Sequence, residues 1–600
     1  MFRDFQPRNF IEVQDNSDTI KLILKANIKK YGGVKMSYKN FTTAVYCTVG
    51  DVNNIKDLGE FEKDFAHIED HAHIDKVYLE YYRSDQWCTK EHMLEVKDFF
   101  NKKGIKTSGG ITTCGSGGEG FASFCYSKEE DREKLRKAVQ LCAETFDELI
   151  LDDFYFTNCR CEACIKAKGD KTWSEFRLTQ KLDASKNIIM KTAKDINPKM
   201  NVIIKYPQWF EYYNETGYDP VNEAKVFDSI YTGTETRNPK YSQQHLPKYL
   251  GYFVMRYLEN AALGRNLGGW FDPFDCNYNL SSYLEQGYLT LYGKAKEVTL
   301  FCLGALRKQG PWRLMAPSIG EMFKECDEYL DKLGNPVGAA AYRPARARGE
   351  NDLHSYLGMC GIPFEPCFEY PADAKTVFLS EGAAADKDII SKMNQTMLNG
   401  GDCIVTSGFV KKLGDAFGQF ANIKVTDRKA IVKEYAGTRD NGINIFGSAP
   451  GKEPVMIPQI DYCTNDIWEL AGGYAAFNNF PIVLRAKYGK GHICIITIPD
   501  NYGDLLNLPA TVLNVIRSLF TKELPVKLLA ESQIQFFAYD NNTFILRSDL
   551  DYTESVTLEF AENVKSVKEL KSGREFKIND QRQISIPLMP MMNMLFKIET

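Results

Sequence analysis

The sequence predicts an α/β chain: a (β/α)₈ TIM barrel, then a flavodoxin-like α/β domain and a small antiparallel β-sandwich. Three observations predict this. Eight short β-rich runs alternate with amphipathic helical stretches between about residues 43 and 305. A differently spaced α/β pattern follows to about residue 520, and from about 525 the pattern is β throughout. The expected boundaries are 1–310 for the barrel, 311–524 for the second domain and 525–600 for the last.

The eight expected barrel strands are TAVYCTVGD, KVYLEYYR, KTSGGITTCG, ELILDDFYF, MNVIIKYPQW, DSIYTGTETR, LGGWFDPFD and EVTLFCLGAL. Helical stretches such as EEDREKLRKAVQLCAETF separate them, as parallel βαβ units require. No glycine-rich GxGxxG turn follows the first strand, which argues against a nucleotide-binding open sheet. In the second domain PVGAAAYRP, KTVFLSEGA, GDCIVTSG, INIFGS and HICIITIP read as strands. In the last, the Asp540–Asn541–Asn542 and Lys571–Ser572–Gly573 turns mark hairpins.

Composition narrows the functional classes. The net charge is -5, from 74 basic and 79 acidic residues, so neither nucleic acid nor an anionic membrane is expected as a partner. The start, MFRDFQPRNFIEVQDN, has no apolar core of a secretory signal, and no run of apolar residues is long enough to span a bilayer. Cysteines placed singly in apolar segments, such as Cys47, Cys142, Cys302 and Cys494, fit a reducing compartment. A cytoplasmic location is therefore expected.

In a barrel, chemistry sits where strands end. The polar residues at those ends include Asp51, Glu80, Arg83, Cys114, Asp152, Asp153, Trp209, Glu235, Arg237, Trp270, Asp272 and Asp275. Carboxylates recur, and no Ser/His/Asp or Cys/His set can be assembled. Paired acids across a cleft suit glycosidic bond cleavage: one protonates the leaving oxygen, while the other attacks the anomeric carbon or activates water. Asp153 is the expected general acid and Asp272 the nucleophile or base, with Glu235 as reserve catalyst. Glu235 would pair with Asp152 in an arrangement like that of α-glycosidases. Asp152, Trp209, Tyr231, Arg237, Trp270 and Glu80 are expected to hold the sugar, aromatic faces packing on its apolar side.

After the fourth strand, Cys159, Cys161 and Cys164 form C-x-C-x-x-C. Three thiols this close can converge on one tetrahedral Zn²⁺ if a fourth ligand comes from elsewhere. Cys114, at the end of the adjacent third strand, is the expected fourth ligand.

The segment DDFYFTNCRCEACIKAKGDKTWSEFRL, with Cys114 upstream and Phe176–Arg177 downstream, resembles the β-galactosidases of glycoside hydrolase family 42. That likeness implies a structural zinc site, a homotrimer built through the second domain, and a carbohydrate substrate. It also implies Asn-Glu at the fourth strand and Glu at the seventh. Here those places hold Asp152–Asp153 and Asp272. Asp153 and Asp272 are each one methylene shorter than the glutamates they replace, which widens the gap between the acids and sets an inverting mechanism beside the retaining one expected first. The expectation is a clan relative that cleaves an oligosaccharide or small glycoside. Two rivals stand beside it: a non-catalytic carbohydrate-binding protein on a degenerate barrel, and a glycoside phosphorylase.

Overall fold

All eight expected barrel strands form, and they close. They are β1 (Thr42–Cys47), β2 (Lys76–Arg83), β3 (Lys106–Ile111), β4 (Glu148–Leu151), β5 (Asn201–Tyr206), β6 (Ser229–Gly233), β7 (Asn266–Phe271) and β8 (Glu297–Phe301). Each pairs in parallel with the next, and β8 returns to β1 with Thr299 beside Ala44. The computed structural model describes residues 37–115, 122–240, 242, 244–262, 264–439 and 444–600. The N-terminal stretch in which no secretory signal was read lies outside these.

The strands alternate between two apolar layers, as a period of two demands. Val45, Val77, Leu149, Leu151, Val202, Ile204 and Leu300 face the surrounding helices. Ala44, Tyr46, Tyr78, Ile150, Ile203, Tyr231 and Trp270 fill the barrel interior. Gly110 on β3 makes room for this layer, since a Cβ there would lie 2.6 Å from the Tyr46 hydroxyl. The same alternation places the site. Two residues beyond Ile150, Ile203 and Trp270 come Asp152, Lys205 and Asp272, all aimed inward at the strands' C-terminal rim.

Helix Met315–Asp327 packs on the barrel helices Leu58–His71 and Leu280–Tyr292. Gly320 permits the approach, because a Cβ would stand 2.2 Å from the His71 carbonyl oxygen. The run PVGAAAYRP then divides. Pro336–Val337 pairs with Ile534–Tyr539 of the C-terminal sheet, and Ala339–Tyr342 enters the second sheet. In space that sheet runs Phe364–Cys367, Ala339–Tyr342, Thr376–Leu379, Asp402–Thr406 and Gly491–Ile496, all parallel. It continues into antiparallel strands Asn478–Tyr488 and Ile467–Ala475 and the long ribbon Ile423–Arg439/Asn444–Tyr462. Of this ribbon the sequence predicts only the strand start at INIFGS, not its length or its antiparallel partner.

The last segment forms two antiparallel sheets around Phe536, Phe544, Leu546, Val556, Leu558, Ile586 and Phe596. Asn542 and Gly573 take the left-handed backbone of tight turns, with φ of 62° and 73°. Among the described residues no helix is long and apolar enough to cross a membrane.

Candidate active site and cysteine cluster

A cavity of about 760 Å³ opens at the C-terminal rim of the barrel. Asp152, Asp153, Glu235 and Asp272 line it together with Lys205, Arg83 and Arg237. Its aromatic walls are Phe154, Phe156, Trp209, Tyr212, Trp270, Phe274 and Phe301.

Lys205 organises the acids. Its ammonium lies 2.7 Å from Asp153 Oδ2, 2.7 Å from Glu235 Oε1 and 3.5 Å from Asp152 Oδ1. The Asp153 and Glu235 oxygens share one nitrogen, so they are at most about 5.4 Å apart, twice that distance. The ammonium also sits 4.3 Å from the centre of the Trp270 ring. Burial alone would strip Lys205 of its proton, but Asp153, Glu235 and Asp152 outweigh it and hold the cation charged.

The four carboxyls have different surroundings. Asp152 accepts from Arg83 Nη2 at 2.7 Å and Thr112 Oγ1 at 3.1 Å, and caps the Asp153 amide at 2.8 Å. Burial pushes it up, yet Lys205 and Arg83 outweigh burial and hold it below the usual carboxylate range. Asp153 keeps 19% side-chain exposure, more than its three neighbours. Burial raises it to about 7, helped by the charges of Asp152 and Glu235 and opposed by Lys205. Burial also raises Glu235 against Lys205, and its buried Oε2 has no hydrogen-bond partner among the described residues. Gly233 is needed for this placement, since a Cβ there would meet Glu235 Oε2 at 2.5 Å.

Asp272 is clamped by Arg237, Nε to Oδ1 at 3.0 Å and Nη2 to Oδ2 at 2.8 Å, and accepts the Phe274 amide at 3.1 Å. Burial raises Asp272, and Arg237 pulls the other way. Arg237 reaches it from a left-handed backbone, φ 57°.

Of the expected site residues, Asp152, Asp153, Trp209, Glu235, Arg237, Trp270 and Asp272 come together here. Two expectations are corrected. Tyr231 does not reach the cavity; its hydroxyl turns down the barrel to Thr299 Oγ1 at 2.7 Å and Glu297 Oε1 at 3.3 Å. Glu80 is fully buried below the rim, accepting from Tyr46, Thr112, Arg83 and the Val49 amide. It holds Arg83 in place, so it acts on Asp152 at one remove. Lys205 was missed, although a lone lysine ending the apolar run Val202–Ile204 is itself a signal: lysine is almost never fully buried without a partner.

The expected cysteine ligand set also changes. Cys159, Cys161 and Cys164 converge with Cys125, and the four sulfurs lie within 4.8 Å of one another. Cys125 Sγ is 3.4 Å from Cys164 Sγ and 3.6 Å from Cys161 Sγ. Thiolates on a tetrahedral metal with bonds of about 2.3 Å stand about 3.8 Å apart, so the donors fit a metal ion. Cys114 instead points to Ser84 Oγ at 3.1 Å. It ends β3 beside β2, and only after the chain turns back does a cysteine, Cys125, face the 159–164 loop. Arg177, buried beside the cluster and stacked 5.1 Å from Trp173, supplies positive charge near the sulfurs.

Residues 31–332 match the family described as the catalytic domain of a probable glycosyl hydrolase. The chain belongs to that family. Two further matches follow: residues 334–501 with the second domain of the uncharacterized protein SSO3021, and 525–594 with the C-terminal domain of a probable glycosyl hydrolase. That uncharacterized protein, from Saccharolobus solfataricus, is 24% identical over 542 residues, covering 82% of this chain and 88% of its own. In fold the chain is similar to the family 42 β-galactosidases. The GH42 β-galactosidase Gan42B of G. stearothermophilus superposes with a TM-score of 0.61 at 11% identity, covering 93% of this chain and 99% of that one. The α-L-fucosidase isoenzyme 2 of Paenibacillus thiaminolyticus superposes at 0.63 and 13%, covering 94% and 100%.

Proposed function

We propose that the chain hydrolyses the glycosidic bond of an oligosaccharide or small glycoside in the rim cavity. Asp153 donates the proton to the leaving oxygen, and Asp272 serves as nucleophile or base. The observation that carries this is the contrast between the two acids: Asp153 is the most exposed of the four and raised to about 7, while Asp272 is fixed by a bidentate arginine. Asp152, Trp209, Trp270 and Arg237 contact the sugar. The two acids' separation then decides between retention and inversion. A panel of aryl-glycosides, with the anomer of the first product read by NMR, tests the reading. No turnover of any glycoside would return the chain to the carbohydrate-binding alternative, and turnover only with phosphate would make it a phosphorylase.

A second arrangement is favoured by the unpartnered Glu235 Oε2. Glu235 would be the proton donor and a fourth-strand aspartate, Asp152 or Asp153, the nucleophile. The α-L-fucosidase among the structural neighbours gives this reading an α-glycoside to test alongside β-galactosides.

The cysteine cluster is proposed as a structural Zn²⁺ site, closed by four thiolates. The chain is also proposed as a homotrimer, supported by exposed Ile431, Met456, Trp468 and Phe477 on the antiparallel arm of the second domain.

A further inference from the structure

The loop after β5 has two faces. It runs as helical turns over Phe210–Tyr212 and Tyr213–Thr216. Trp209, Tyr212 and Thr216, spaced at i, i+3 and i+7, line the active-site cavity. Phe210, Glu211, Asn214 and Glu215 face the other way, onto the segment 343–352 of the second domain.

That second face is fastened at every residue. The Arg343 guanidinium lies 5.4 Å from the centre of the Phe210 ring. Glu211 Oε1 accepts the Asp352 amide at 2.8 Å and stands 3.6 Å from Arg343 Nη2. Asn214 Nδ2 donates to the Ala345 carbonyl at 3.1 Å, and Glu215 pairs with Arg348. Glu211 and Arg343 are both buried, at 7% and 1% exposure. Arg343 Nη2 has no hydrogen-bond partner among the described residues; Glu211 is the carboxylate that offsets its charge. The 343–352 segment takes left-handed backbone at Gly349, Glu350 and Asp352, with φ of 108°, 50° and 62°. Such a backbone costs free energy at the two non-glycine positions, and here it turns the Asp352 amide toward Glu211.

The place of the socket in its sheet is telling. Arg343 directly follows Ala339–Tyr342, whose neighbours are Phe364–Cys367 on one side and Thr376–Leu379 on the other. The connection from this strand runs to Phe364–Cys367 and that from its neighbour Thr376–Leu379 runs the other way to Asp402–Thr406, so the strand order reverses beside Arg343, the place where parallel α/β sheets take ligands. In this chain the barrel's own Glu211 carboxylate meets Arg343 and the Asp352 amide at that place.

We propose that the second domain positions the aromatic wall of the active site: Arg343 and the 345–352 segment grip Glu211, Asn214 and Glu215, and so fix Trp209 and Tyr212 for the part of the substrate beyond the cleaved bond. This rests on the hydrolase reading of the cavity. Tyr212 is 53% exposed at the mouth and Trp209 packs edge-on to Phe156 at 5.8 Å, so neither is held by deep burial alone. Releasing the grip would leave both rings to be ordered by the substrate, which weakens binding without touching the acids.

The test compares the whole protein with Glu211→Gln, Asn214→Ala/Arg348→Ala, Arg343→Met and Arg343→Lys, on an aryl-glycoside and on an oligosaccharide with the same reacting sugar. The variants are expected to raise KM for the oligosaccharide about tenfold, with kcat and the aryl-glycoside KM within about twofold. Arg343→Lys should recover part of the loss seen in Arg343→Met. Amide exchange across 207–218 should rise in the same order, a readout that needs no turnover. If the wild-type chain cleaves no glycoside, the hydrolase reading fails and the exchange data alone decide the grip. Unchanged exchange and an unchanged oligosaccharide KM in the Asn214→Ala/Arg348→Ala double variant, or equal losses on both substrates in every folded variant, would overturn it.

Discussion

The Lys205 ammonium is bound to Asp153 at 2.7 Å, and the same nitrogen holds Glu235 at the same distance. A cation beneath two acids lets them be close without both being forced neutral. It also makes their protonation mutual: whichever loses its proton first strengthens the lysine's hold on that side. On the proposed mechanism, the proton needed for a leaving group is governed by a residue that contacts no bond being broken.

Lys205→Met tests this. Lysine lowers the carboxyl of Asp153, so its removal should move the descending alkaline limb of the rate profile to higher pH. It also leaves Asp152, Asp153 and Glu235 without their common counter-ion. Breaking a buried pair of this kind costs about 3–5 kcal/mol near neutrality. Because the raised acids are neutral at low pH, the stability gap to wild type should shrink as pH falls and widen as it rises. Thermal unfolding from pH 5 to 8 measures it; a gap independent of pH would mean that the lysine is only packed there.

The cysteine cluster separates two residues that look alike in sequence. Cys125→Ser should lose one metal ion per chain by elemental analysis and lower the melting temperature. Cys114→Ser, whose sulfur faces Ser84, should keep the metal and melt within a few degrees of wild type. Loss of metal from Cys114→Ser with retention in Cys125→Ser would reverse the ligand assignment.

These residues show how far sequence reaches into such a site. The barrel was legible because its strands are short, β-branched and evenly spaced, and period-two alternation then named the inward residues at each rim. Face is readable; depth is not. Tyr231 is level with Lys205 across the β5–β6 ladder, yet its phenol turns down to Thr299 while the lysine reaches up to the acids. Glu80, still paired with Gly110 inside the β2–β3 ladder, stops below the rim for the same reason. Cys125 was hidden because spacing says nothing about where a loop folds back. The antiparallel ribbon Ile423–Tyr462 was hidden because its two strands, long and mostly polar on one side, lack the short apolar signature of the parallel ones.

Self-association is expected through the arm that carries Trp468 and Phe477, 60% and fully exposed. Light scattering at micromolar concentration should give three times the 68.3 kDa chain mass. Trp468→Asp with Phe477→Asp should yield monomers that keep the fold, because neither side chain contributes to a core. A wild-type monomer, or a trimer indifferent to both changes, removes the arm from the interface.

The roles of the acids are separable by leaving group. If Asp153 is the proton donor, Asp153→Ala should slow substrates with poor leaving groups by about 10²–10⁴-fold and activated aryl-glycosides far less, since these need little protonation. The alkaline limb should disappear in the same variant. Its sign follows from the raised carboxyl: the proton is present below about pH 7 and lost above it, so wild-type activity falls as pH climbs through that value. Asp272→Ala should abolish turnover of both substrate types, because nucleophile or base is needed whatever leaves, and azide should restore an activated substrate only if the reaction retains configuration. Arg237→Met provides the control. It frees Asp272 from its bidentate clamp, so Asp272 should titrate higher and the acidic limb of the profile should move up in pH by more than the alkaline limb, since Asp153 lies within the same arginine's weaker reach. The alternative predicts a different pattern. With Glu235 as donor, leaving-group dependence appears in Glu235→Ala, total loss appears in an Asp152 or Asp153 variant, and Asp272→Ala keeps its chemistry but binds sugar weakly. The unpartnered Glu235 Oε2 is what makes that outcome a live competitor, and the ratio of aryl-glycoside to disaccharide rates across the four variants decides between them.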